Sequence, residues 1–387
     1  MTRRASTASH RAKALGRPPA AEGGVPPIRF VPPYPPSWID RLTAVIDRLP
    51  GPSWLAYVAA AFVMNLLLSA AHWLTGASPL GRFDRVHFLL AAAIPFALGI
   101  VDYLDREALK ALEEFRPALR ASDAEVLLFR YRLVTIPAWT AVWSGLAFIV
   151  VAVAVGSGVP LLTRETPLGS GSANPLAGAL LLLGVAPTPL ATTLGVLIVI
   201  AMFFTEGAAV YHILNQMVTI SRIYTHHTNV DLFRLAPLYA FSRHTARTSI
   251  VLLGAGLFGF LLVPGLYTAG VIVMSIFFLA LVMATFVLPL AGAHRLLGQE
   301  KERLLTENGA MLKATVAELH RRVASGRLRD MDNMNKAMAS LEIEHAALAR
   351  IPTWPWEPGT VRSVVAAVLL PVFLYAVQQI LSRTLGG

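Results

Sequence analysis

The sequence predicts an all-α, polytopic transmembrane helical bundle of about seven spans with a cytoplasmic antiparallel helical hairpin. Three observations predict it. Of 387 residues, 55% are hydrophobic and only 14% charged, where a soluble domain carries nearer a quarter. The apolar residues gather in blocks long enough to cross a bilayer, which takes about 20 helical residues. With the spans set out below, 29 of the 33 Lys and Arg residues fall on one side and only Arg82, Arg85, Arg164 and Arg383 on the other. That asymmetry marks the cytoplasmic face.

Taken in order, residues 1–36 are basic and then rich in proline (Pro26, Pro27, Pro32, Pro33, Pro35, Pro36). Such a tail cannot pack a core and is expected to be disordered. Ser37 can cap a short helix over 37–49. Its Trp38, Leu42, Val45, Ile46 and Leu49 share one face while Asp40, Arg41, Asp47 and Arg48 lie elsewhere. The pattern fits a helix lying in the headgroup layer, or a few turns packed on the protein's own loops.

Residues 54–74, 86–104 and 133–155 read as the first three spans. The run Leu176–Ala186 is too short to cross, about 17 Å as a helix, and is closed by Pro187-Thr188-Pro189. We read 176–189 as re-entrant or surface-lying. The fourth span is 191–214. Residues 249–291 would make one helix of about 65 Å, roughly twice the bilayer core. Pro264-Gly265 supplies a break, giving spans over 247–263 and 268–291. The seventh span is 362–382. The layout places the N-terminus in the cytoplasm and the C-terminus across a cell (inner) membrane.

Between the sixth and seventh spans, residues 292–350 turn polar and heptad-like. Leu305, Leu312, Val316, Leu319 and Val323 form one seam. After Ser325-Gly326, Met331, Met334, Met338, Leu341, His345 and Leu348 form a second. Two such seams pack on each other as a hairpin. The Pro/Trp linker 351–361, with Pro352, Pro355 and Pro358, is extended and can bridge the unequal arms. Its Trp354 and Trp356 suit the membrane interface.

Chemistry is sparse. The net charge of +10 sits in loops beside apolar spans, where orientation and lipid headgroups account for it rather than nucleic acid. With no cysteine, thiolate metal sites, disulfides and cysteine nucleophiles are excluded. Walker, dinucleotide-fingerprint, nucleophile-elbow and H-E-x-x-H patterns are missing, which argues against an enzyme. No cofactor or metal is implied. Glu206 is the one acid well inside a span, about 12 Å deep if the helix is regular, and such acids often mark ion or proton pathways. His212, Asn215 and Gln216 form a polar cluster where the fourth span meets the cytoplasm, on one helical face. Asn65, Trp139 and Trp143 read as helix–helix glue and aromatic packing, and Gly254, Ala255, Gly256 and Gly259 as a face for close helix approach.

The stretch Asn229-Val-Asp-Leu-Phe-Arg-Leu-Ala-Pro-Leu-Tyr-Ala-Phe-Ser-Arg-His-Thr-Ala-Arg-Thr over 229–248, and the tail Ile351-Pro-Thr-Trp-Pro-Trp with its following span, resemble uncharacterised prokaryotic multi-pass membrane proteins. The resemblance implies the fold and assigns no role to any residue. The expected function is a non-catalytic signalling or scaffold subunit, because the polar mass lies on the cytoplasmic side without catalytic groups. The lipid bilayer is the expected partner, with a homo-oligomer or a second protein on the hairpin. The alternative is an ion channel or transporter using Glu206 and the 176–189 segment. No inverted repeat supports that alternative.

Overall fold

The computed structural model describes residues 30–76, 78–163, 189–262, 269–326, 331–357, 359–370 and 373. It is helical, with no strand among the described residues. In chain order the helices are α1 (Trp38–Ile46), α2 (Ser53–Leu74), α3 (Arg85–Phe115), α4 (Asp123–Val134), α5 (Ala138–Thr163), α6 (Pro189–His226), α7 (Tyr239–Leu262), α8 (Ala269–Val287), α9 (Ala291–Ala324) and α10 (Met331–Arg350). Four helical runs are long and apolar enough to cross a membrane: Ser53–Leu74, Phe88–Ala118, Thr193–His226 and Phe278–Ala324. Two shorter apolar stretches, Ala138–Ala154 and Gly359–Leu370, accompany them. The segments 1–29, 176–188, 263–268 and 374–387 lie outside the described residues, and with them most of the tail, the 176–189 segment and the end of the last span.

Helices α3 and α6 form the centre. Helix α3 packs against α2, α6 and α7, while α6 also packs against α5, α4 and the first turns of α9. The α5–α6 crossing is the tightest. A Cβ on Gly207 would stand 2.4 Å from Phe148 Cβ and 2.6 Å from the Ser144 carbonyl, and one on Gly145 would stand 2.5 Å from the Phe204 ring. Glycine is therefore obligatory at both positions, for space rather than for backbone conformation. The sequence had directed attention to Gly254 and Gly256 instead. Nothing lies within 4 Å of a Cβ on Gly254, while one on Gly256 meets Phe278 at 2.8 Å. Trp139 and Trp143, expected to pack, are 75% and 65% exposed and face outward. Asn65 is buried, as a residue between helices should be.

Several boundaries shift for local reasons. The third span cannot begin at 133, because Thr135-Ile136-Pro137 separates α4 from α5 and Pro137 cannot continue the α4 hydrogen-bond ladder. Helices α3 and α6 run about three turns past the apolar blocks at 104 and 214. Those extensions, α4 and the start of α7 build a helical layer at the polar end of the bundle. Its core contains Phe115, Leu133, Ile220, Ile223, Tyr224 and Phe241, all 1% exposed or less. Residues 105–132 and 215–247 are thus folded rather than loops. Ser37 and Asp40 form a capping box on α1, as Ser37 suggested. The end of the tail is anchored at Tyr34 rather than disordered: Tyr131 Oη donates to the Tyr34 carbonyl at 2.5 Å, and Tyr34 Oη to the Thr135 carbonyl at 3.0 Å.

Helices α9 and α10 lie side by side. Asn308 Nδ2 donates to the Leu341 carbonyl at 3.1 Å, and Lys301 Nζ to the carbonyls of Ala349 and Ile351 at 2.7 and 2.8 Å. Residue numbers that rise on one helix and fall on the other mean opposite directions. Leu305, Leu312, Val316, Leu319, Met331, Met334, Met338 and Leu341 are half-buried and Leu348 is buried. Val323 is 52% exposed and His345 is exposed, so neither belongs to a packed seam. Trp354 and Trp356 are half-buried and packed on their neighbours. His294, Trp354, Trp356 and Phe286 stack in a ladder with centroid spacings of 4.1, 4.4 and 5.5 Å, holding the linker to the end of α8 and the base of α9.

Candidate functional site

Where the apolar spans give way to the polar layer, five buried polar side chains from four helices meet. They are Asp40 (α1), Asp105 (α3), His212 and Gln216 (α6) and His244 (α7), each 2% exposed or less. His212 and Gln216 stand one turn apart, so both point to one side of α6. Asp102, Asp105 and Arg106 arise in the same way on α3, at three- and four-residue spacing across the end of the apolar block.

His212 lies between two carboxylates. Its Nε2 is 2.7 Å from Asp105 Oδ1 and its Nδ1 is 3.7 Å from Asp40 Oδ1. With its proton on Nε2 the ring donates to Asp105 Oδ1. Gln216 completes the wiring. Its Nε2 donates to the Leu133 carbonyl at 2.8 Å and more weakly to Asp105 Oδ1 at 3.3 Å. Its Oε1 then accepts from His244 Nε2 at 2.9 Å. That bond fixes the His244 tautomer with the proton on Nε2. Burial pushes the His244 imidazole down to about 3, so the ring is neutral at ordinary pH.

Asp40 ties this cluster to the α4–α5 elbow. Its Oδ2 accepts from the Ser37 backbone N–H and hydroxyl, both at 2.8 Å, and from the Ile136 N–H at 3.2 Å. Burial holds its carboxyl above the usual carboxylate range. The opposite charge of His212 and the Ser37 hydrogen bonds pull it down, and Asp105 adds repulsion upward. The sequence placed Asp40 away from the apolar face of helix 37–49, which it took to be Trp38, Leu42, Val45, Ile46 and Leu49. The packed face is instead Ile39, Asp40 and Thr43, each 2% exposed or less, and Leu42, Val45 and Leu49 point away.

Around the buried five lies a partly exposed ring of ion pairs. Arg106 Nη2 donates to Asp102 at 2.5 Å, and Arg243 reaches Glu114 at 2.5 Å and Glu357 at 3.4 Å. Arg247 pairs with Glu107 and Arg130 with Glu113. The pairs of α7 with α3 and with the linker join elements distant in sequence, and exposed pairs of this kind contribute about 0–1 kcal/mol each. The buried hydrogen bonds carry more of the coupling.

Of the residues expected to act together, His212 and Gln216 share the network. Asn215 stands beside it, donating to the Arg132 carbonyl at 3.5 Å. Glu206 is half-buried and separate, with no hydrogen bond or ion pair among the described residues. Sequence reasoning missed Asp105 and Asp40 as partners of His212, and His244 as the partner of Gln216. The available signal was the triplet Asp102, Asp105 and Arg106 on a helical repeat across the end of an apolar block. No group of three or more His, Asp or Glu side chains among the described residues is arranged to hold a metal ion. Neither a protein family, nor a curated protein, nor a solved structure matches this chain.

Proposed function

We propose that the chain is a non-catalytic signalling or scaffold subunit of a membrane, presenting the α9–α10 hairpin on the cytoplasmic side of a seven-span bundle. One contrast carries the reading: the hairpin has a fixed base and a bare tip. At the base, Leu297 and Leu348 belong to the core of the polar layer, the aromatic ladder grips the linker, and Lys301 closes the end of α10. Helix α9 follows α8 through a single 3-10 turn at Leu288–Leu290, so a displacement of the apolar helix is passed to the hairpin. Beyond the base the arms pack on each other, leaving Met311 59% and Ile343 71% exposed along their length and Val323 52% exposed at the tip. Apolar side chains on a two-helix arm suit a third helix, from a partner or a second copy. Asp40, Asp105, His212 and His244, each 2% exposed or less, are too buried to meet a solute, which supports a structural rather than catalytic role for them.

The alternative, a channel or transporter using Glu206 and the 176–189 segment, draws on one observation: an acid in α6 with no ion-pair partner among the described residues. Two experiments separate the readings. Single cysteines at Ser172 and Ser325, in a chain that has none, should label from opposite sides of the membrane. A photo-crosslinking residue at Met311 or Ile343 in intact cells should give discrete adducts, and the purified chain should conduct no protons or cations in liposomes. An absence of adducts, together with a flux abolished by Glu206→Gln, refutes the scaffold and establishes transport.

A further inference from the structure

Beside the polar layer, a trough of about 870 Å3 opens between α2, α3 and α7. Its size is that of small-molecule sites, about 300–1,000 Å3. The floor is one stripe of α3 running from Pro95 to Arg106, with Trp54 and Val58 of α2 on one side and Val251 of α7 on the other. The floor covers 11 residue steps, a rise of about 16 Å, close to half of the ~30 Å hydrocarbon core. Trp54 and Val58 are 62% and 57% exposed, so the trough is open along its side, towards where lipid lies.

The mouth of the trough is polar and is formed by the elbow between α1 and α2. Arg106 Nη1 donates to Ser53 Oγ at 2.7 Å and lies 3.8 Å from Asp47 Oδ1, while Nη2 holds the fully buried Asp102. The guanidinium side chain is 34% exposed and Asp47 18%. A guanidinium has five donors, so capacity remains for a phosphate. The charged side chains that line the trough are Arg106 and Asp47, one cation and one acid. An anionic headgroup meets attraction from the first and repulsion from the second, whereas a zwitterion brings a phosphate to Arg106 and an ammonium to Asp47. A primary ammonium can also donate hydrogen bonds to that carboxylate, which a quaternary one cannot.

We propose that this trough binds phosphatidylethanolamine, with one acyl chain along α3 between α2 and α7 and the headgroup bridging Arg106 and Asp47. The inference rests on membrane insertion of α2 and α3 and is independent of the hairpin's role. The test uses the full chain in nanodiscs of equal parts phosphatidylethanolamine, phosphatidylglycerol and phosphatidylcholine, with retained lipid read by native mass spectrometry after stripping of the annulus. The wild type should keep one phosphatidylethanolamine, preferred about tenfold over the other two, a difference of about 1.4 kcal/mol. Val58→Trp fills the trough from an exposed position and should reduce retention about tenfold at unchanged thermal stability. Asp47→Asn should keep a bound lipid and lose the preference over phosphatidylcholine. Retention indifferent to headgroup, or untouched by Val58→Trp, overturns the site. A chain that never enters nanodiscs overturns membrane insertion as well.

Discussion

Replacing Gln216 by leucine tests whether the buried polar layer holds the bundle together. The side chain is 0% exposed and makes three hydrogen bonds, to Leu133, Asp105 and His244. Leucine matches its bulk and deletes all three. Interhelical hydrogen bonds in membranes average only about 0.6 kcal/mol when both partners are free to find others. Here they are not. His244 Nε2–H and the Leu133 carbonyl stay behind buried, and each orphaned group costs about 1–3 kcal/mol. Asp105 loses only a long bond and keeps His212. The expected destabilisation is therefore about 2–6 kcal/mol, a large share of the ~5–15 kcal/mol that holds a typical domain. Asn215→Leu removes one 3.5 Å bond from a half-buried position and should cost less than ~1 kcal/mol. Reversible unfolding of the detergent-solubilised chain by a denaturing surfactant, followed by circular dichroism, measures both. Adding His244→Leu to Gln216→Leu removes one orphan, so the double variant should be at least ~1 kcal/mol less unstable than the sum. A Gln216→Leu cost below ~1 kcal/mol, or strict additivity, refutes the network.

Two further predictions follow from the same geometry. His244 has a folded pKa depressed to about 3, against about 6.5 unfolded, so the unfolded state binds the extra proton between these values. Its contribution is complete above pH ~6.5 and is lost as the pH falls towards 3, at up to ~1.4 kcal/mol per unit. Unfolding midpoints from pH 7 to 4 should show this slope, and His244→Gln, which can still donate to Gln216, should flatten it. Gly207→Ala puts a Cβ 2.4 Å from Phe148 Cβ and should cost at least the ~1–3 kcal/mol of an overpacked core. Gly254→Ala meets empty space and should gain up to ~1 kcal/mol of helix propensity, and equal thermal shifts for the two would contradict the α5–α6 crossing.

The sequence by itself determined that the chain is helical and carries membrane-length apolar runs, because a long apolar run is a local composition that needs no partner to be read. Ser37 as the cap of α1, the core of the first candidate span and the change of character near 291 were legible for the same reason: each depends on near neighbours in the chain. The alternation of spans and the sidedness of the basic residues remain expectations of that reading. Only the tertiary structure decided that 105–132 and 215–247 fold into a layer with a core of its own. Their mixed composition reads as loop until Phe115, Tyr224 and Phe241 are brought together. It also decided which polar residues matter. His212 and Gln216 are visible on one helical face, but their partners Asp105, Asp40 and His244 come from three other helices, as many as 172 positions away in the case of Asp40 and His212. A buried hydrogen bond is specified by where two chain segments cross. Glycines obey the same logic: Gly207 and Gly254 look alike in sequence, and only the crossing of α5 and α6 makes the first indispensable.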